Sequence, residues 1–239
     1  MSTKSMIMAG SLALAACAAA PARSAAPGPA ASSAVGAAGS PSAPATSPEA
    51  EAHWAALKPL TAVEVAFVHQ QLADEPEAAD ALVAALPGVC GVTDEAKRQE
   101  ALEGAWPRLS EGIKAAAATP RWKVRVDTQL GGYDFPHGGF PTGLTEEAGP
   151  TYGRGDYCWQ AVELSVALQN WSDYALVRVP QDRVRTFVRG NQQRVVQEEL
   201  EVEVVGAQAG PPKAVVVRIV RLRLRDAVGG AILADTGLR

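Results

Sequence analysis

The chain has 239 residues, 47% of them hydrophobic and 20% charged, with a formal net charge of -4. That balance suits a folded domain and lacks the single-sign basic stripe of a nucleic-acid binder. Aromatic residues make up only 5%, so a core must come mainly from Val, Leu, Ala and the five tryptophans.

Lys4 precedes an apolar run over residues 6–16 that ends at Cys17. One positive charge, a short apolar core and then small residues is the layout of a secretory signal. The run falls short of the about 20 apolar residues that span a bilayer. Leu14-Ala15-Ala16-Cys17 resembles the lipobox of bacterial lipoprotein precursors. The resemblance covers the N-terminus alone. It implies that Cys17 becomes the new N-terminus and carries a diacylglyceryl group, usually with a third acyl chain. Two or more chains hold a protein stably on a membrane. Ala18 stands where an aspartate in this class tends to retain the protein at the inner membrane, which implies the outer membrane, facing the periplasm. Ordinary cleavage among the alanines beyond Cys17 would instead give a secreted or soluble periplasmic protein.

Residues 18–46 are almost entirely Ala, Pro, Ser and Gly, with Val35 the single large apolar side chain. Such a stretch cannot offset its own ordering entropy and reads as a flexible tether. As polyproline II, at roughly 3.1 Å per residue, it would reach up to about 90 Å.

Residues 47–120 read as helices. Ser47-Pro48 is an N-cap followed by proline at the first helical position, and Pro59 closes that helix. Thr61 and Glu64 have capping-box spacing, ahead of a face of Val65, Phe67, Val68 and Leu72. The pattern restarts at Pro76 and stops at Pro87-Gly88. Thr93 or Asp94 opens a last helix to about residue 118, which Pro107 should kink or split.

From Trp122 the period changes to two. Trp122, Val124 and Val126 alternate with Lys123, Arg125 and Asp127, as in a half-buried strand. A Gly- and Pro-rich segment over 130–155 follows, then alternation over 157–168, a turn at 170–173, a strand at 175–179 and a short helix ending at Gly190. Two long strands, 194–205 and 214–225, flank Gly210-Pro211-Pro212-Lys213. Their charges suggest a register in which Glu203, Glu201 and Glu199 face Arg221, Arg223 and Arg225, making one solvated ion-paired face and one apolar face. A turn at 226–230 and a short strand at 231–234 end the chain. Residues 18–120 carry 6 basic and 12 acidic side chains, whereas 121–239 carry 15 and 14. The expected architecture is therefore α+β: an acidic helical region, 47–120, packed on one side of an antiparallel sheet of four to six strands, 121–239, together making one domain.

If Cys17 is lipidated or removed, Cys90 and Cys158 remain as an even pair, expected to bond in an oxidising compartment. There is no C-x-x-C and no metal-ligand spacing among the three histidines, so neither a metal nor a cofactor is implied. Nucleophile-elbow, zincin and phosphate-loop patterns are also missing. The catalytic candidates are Asp134 and His137, in the glycine-bracketed loop 131–141 beside Tyr133, Phe135 and Phe140. A carboxylate near a histidine would serve general acid-base chemistry. The plainer reading is that the two phenylalanines anchor the loop while Asp134 caps a turn. Trp159, Trp171 and Tyr157 read as core filling ahead of a binding platform, and His69 as a surface or satisfied core residue. The functional expectation is a lipid-anchored envelope protein, leaning non-enzymatic, that binds or positions an envelope partner. The alternatives are a cell-envelope hydrolase built on Asp134 and His137, or a small-ligand or lipid carrier.

Overall fold

The computed structural model describes residues 47–73, 76–152, 158, 162–210 and 212–237. The Leu14-Ala15-Ala16-Cys17 motif, the 18–46 tether, Tyr157 and Trp159 lie outside the described residues. The described residues belong to one compact unit.

Four helices come first: α1 (Pro48–Ala56), α2 (Ala62–Ala73), α3 (Pro76–Ala85) and α4 (Glu95–Ala117). Their starts follow from local chemistry. The Ser47 hydroxyl accepts from Ala50 N at 3.2 Å, Asp94 accepts from Lys97 N at 2.9 Å, and the Thr61 and Glu64 side chains meet at the start of α2. Pro107 does not split α4. Ala105 and Leu109 are buried on either side of it and hold the helix against the core across the missing bond, while Arg108 Nε donates back to the Gly104 carbonyl at 3.3 Å. No helix among the described residues is long and apolar enough to cross a membrane.

The strands are β1 (Lys58–Pro59), β2 (Trp122–Gln129), β3 (Gly139–Pro141), β4 (Thr151–Tyr152), β5 (Leu164–Leu168), β6 (Leu176–Arg178), β7 (Val195–Gln208), β8 (Ala214–Asp226) and β9 (Ile232–Gly237). Helix α5 (Gln181–Gly190) separates β6 from β7. The fold is α+β as expected. The sheet is larger and mixed: seven strands in the order β1-β2-β7-β8-β5-β4, with β9 also on β8, and β1 on β2 and β5 on β8 running parallel. Short strands β3 and β6 pair separately. The extra strands β1, β3 and β4 are two or three residues long, too short for a period to be read; β3 and β4 lie in the glycine- and proline-rich stretch and β1 at the proline that closes α1.

The β7/β8 hairpin departs from the expected register by two residues. Glu199 faces Arg223 and Glu201 faces Arg221, while Glu203 faces Arg218. A two-residue slip keeps every side chain on its own face, so the apolar and charged faces survive. Register shifts between Glu201/Val202 and Val204/Gly206 cause the remaining change. The first makes Val215, Val217 and Ile219 share a face with Leu222 and Leu224, a parity switch that leaves no mark in composition. Asn170 covers the gap along β8 between β5 and β9, donating to Ile219 O at 3.0 Å and accepting from Ile219 N at 2.7 Å.

The apolar face of the sheet, including Trp122, Val124, Leu200, Val202 and Leu222, shares one core with Val65, Ala66 and Val68 of α2 and with Leu82, Ala105 and Leu109 of α3 and α4. His69 is buried there and meets the Gln208 carbonyl at 3.2 Å. Trp171 packs half-buried against the same core. Cys90, just after α3, is bonded to Cys158, with Cα atoms 5.7 Å apart. Closing a loop of this length contributes about 4 kcal/mol in the chain-entropy account.

Candidate functional site

Beyond β2 the chain doubles back in a tight turn. Asp134 N donates to Gly139 O at 2.8 Å and Gly138 N to Asp134 O at 2.8 Å. Gly138 takes a φ of 68°, which glycine adopts without strain. The Asp134 carboxylate accepts from His137 N at 3.1 Å and from His137 Nδ1 at 2.7 Å. The ring hydrogen bond, then the backbone one, hold the Asp134 carboxyl below its usual range. The two expected residues therefore do meet, as a turn cap, with His137 71% and Asp134 33% exposed by side chain. Phe140 is buried and anchors the loop, as expected. Phe135 does not: it is 70% exposed, with its ring edge-on to Tyr133 at 5.0 Å. Four consecutive turn positions with a tight Asp134/Gly139 closure leave the first of them pointing outward.

The charged face of the hairpin also differs from expectation, because it is not solvated. Helix α1 lies across it. Trp54 is buried and its Nε1 donates to Asp235 at 3.2 Å. The Arg223 guanidinium is fully buried, 4.9 Å from the Trp54 ring, 3.1 Å from Glu51 and 3.1 Å from Asp235. His53 meets Glu201 at 2.8 Å, Arg121 meets the same carboxylate at 2.7 Å, and Lys123 donates to the Trp54 carbonyl at 3.0 Å. The glutamates of β7 on this face thus have partners from α1, β2 and β8, and Asp235 of β9 supplies a further anion. At the exposed end, Arg218 holds the Glu203 carboxyl below its usual range, chiefly by a hydrogen bond.

On the opposite, apolar face stands a carboxylate that alternation did not single out. Glu198 shares its face with Val196, Leu200 and Val202, with Val126 and Leu224 as cross-strand neighbours. It is 0% exposed and neither carboxyl oxygen has a hydrogen-bond partner among the described residues. Burial pushes its pKa up to about 7. The available signal was parity: Glu198 is the one acid at an even position in the run 196–204. Near this end of the sheet, α5 and β9 flank a cleft of about 290 Å³ lined by Asp182, Thr186, Phe187, Asp226, Ile232 and Leu233. Asp226 is committed within the protein, accepting from Asn191 at 2.8 Å and from Val228 N at 3.0 Å.

The outer edge of β2 offers groups of a different kind. Leu60 N donates to the Lys123 carbonyl at 2.9 Å, so the main-chain groups of odd-numbered residues in β2 point away from β7. Strand β1 covers this edge only at Trp122 and Lys123. Arg125, Asp127 and Gln129 are exposed, and among the described residues nothing pairs with their outward N–H and C=O groups. Such an edge is a template for an added strand. Among the described residues no group of three or more His, Cys, Asp or Glu side chains is arranged to hold a metal. No protein-family model, curated protein or solved structure matches the chain.

Proposed function

We propose that this chain is a lipid-anchored envelope protein whose folded domain binds a partner by taking an extended segment of it onto the outer edge of β2. The open row of main-chain groups over residues 125–129 carries this reading. Main-chain hydrogen bonds would supply affinity, and Arg125 and Asp127 at the rim would favour a partner strand with complementary charges. The lipobox-like Leu14-Ala15-Ala16-Cys17 and the long small-residue segment behind it support the anchor and its reach. The exposure of the Asp134/His137 turn weighs against the hydrolase alternative.

The test is a photo-crosslinking amino acid at Arg125 in intact cells, with and without Asp127→Pro. Proline removes one outward N–H and leaves the β2/β7 ladder intact, since Asp127 does not donate toward β7. The expected result is a discrete adduct with the parent and its loss with Asp127→Pro, while circular dichroism and a cooperative melt show that the variant remains folded. An adduct unchanged by Asp127→Pro would refute strand addition.

A further inference from the structure

The end of the molecule around α5 is basic on an otherwise acidic chain. Phe187 seats the helix on Phe140, ring centroids 5.9 Å apart. Arg185 and Arg189, four residues apart, therefore lie on the ridge facing away from the core and are exposed. Arg178, at the end of β6, pairs with Gly139 of the neighbouring turn and is also exposed. None of these three arginines has an acidic partner among the described residues, unlike the arginines of the charged face. The acids nearby are largely spent: Asp134 is paired with His137 and Asp226 is held by Asn191, which leaves Asp182.

Three apolar side chains stand out on the same group of segments. Phe135 is 70% exposed at the turn beside β6, Val188 is 39% exposed on α5, and Val228 is 71% exposed on the turn tied to α5 through Asn191 and Asp226. Unpaired arginines interleaved with protruding apolar tips suit an anionic bilayer interface, where the charges meet headgroups and the apolar tips enter the acyl boundary. A soluble polyanion would reward the arginines and leave Phe135 and Val228 unused.

We infer that the α5 end, with the Phe135 and Val228 turns, is a docking surface for anionic phospholipid membrane. This goes beyond the proposed strand addition and requires neither the β2 edge nor an acyl chain.

The test is vesicle flotation of the full chain carrying Cys17→Ser, with phosphatidylglycerol vesicles and with phosphatidylcholine vesicles as the neutral control. The apolar segment over 6–16 is common to parent and variants, so the readout is the difference between them. The surface predicts preference for phosphatidylglycerol, a loss of about tenfold or more on Arg185→Glu/Arg189→Glu, and a further weakening as salt rises. Phe135→Ser/Val228→Ser should also weaken binding, and all substituted sites are exposed, so circular dichroism and melting should match the parent. Asp127→Pro should leave vesicle binding unchanged, which separates this surface from the β2 edge. Equal flotation of the arginine variant and the parent would overturn the inference. So would heparin binding that the arginine reversal abolishes, with vesicle binding indifferent to Phe135→Ser/Val228→Ser.

Discussion

Glu198 concentrates the cost of this architecture in one side chain. Its carboxyl is sealed among apolar neighbours with no donor among the described residues, so the neutral acid is favoured and burial pushes the pKa up to about 7. In the unfolded chain the same group ionises near 4.5. Between those values the folded state keeps a proton that the unfolded state has released. Its contribution is therefore complete below pH 4.5 and falls as pH rises to about 7. The loss amounts to about 3 kcal/mol. Glu198→Leu, which keeps the site apolar, should be more stable than the parent at pH 8 by a similar amount and should lack this slope. Denaturant titrations of both chains from pH 4 to 8 check it, and parallel profiles would show that Glu198 finds a partner. The parity that betrays Glu198 was visible in the sequence, but its consequence was not. Two neighbouring acids, Glu199 and Glu201, sit on the other face, and only the fold shows that Arg125 and His53 partner them while no described residue partners the buried Glu198. The Asp134/His137 contact was legible for a similar local reason, an aspartate three residues before a histidine with glycine following. Its exposure depends on how the turn sits on the core, which spacing does not encode.

Helix α1 joins the sequence problem to the packing problem. A nine-residue helix is too short to persist alone, so its hold comes from the sheet. Arg223 is the centre of that hold, shared by Glu51, Asp235 and the Trp54 ring. Arg223→Ala would remove the fully buried cation of this interface, leaving Asp235 to Arg221 and Trp54 and Glu199 to Arg125 and Arg225, and is expected to cost about 3 kcal/mol. Arg223→Met together with Asp235→Asn should recover part of that loss, because the amide drops the facing buried charge while its oxygen can still accept from Arg221. Urea denaturation of the single and double variants measures both effects; equal losses would show that the charges act independently. The caps that start α1, α2 and α4 were readable from single residues. The burial of the glutamate and arginine stripes was not, since alternating charge looks the same whether water or a helix covers it. The register of β7/β8 was hidden likewise, because a two-residue shift preserves the pattern from which register is read.

For the whole molecule, the fold class and the disulfide partner were legible because they rest on coarse signals: a change of period near Trp122 and an even cysteine pair. The β2 edge and the α5 surface were not, because both are defined by what fails to cover them. We propose a tethered domain, anchored through Cys17, that docks on membrane at one end and offers a strand edge to a partner. Intact mass spectrometry of the protein from its native membrane fraction, beside a Cys17→Ser version, tests that claim most directly. The predicted result is a chain beginning at Cys17 with the added mass of two or three acyl chains, lost on substitution. An unmodified chain beginning beyond Cys17 would contradict the anchor and make this a freely diffusing protein.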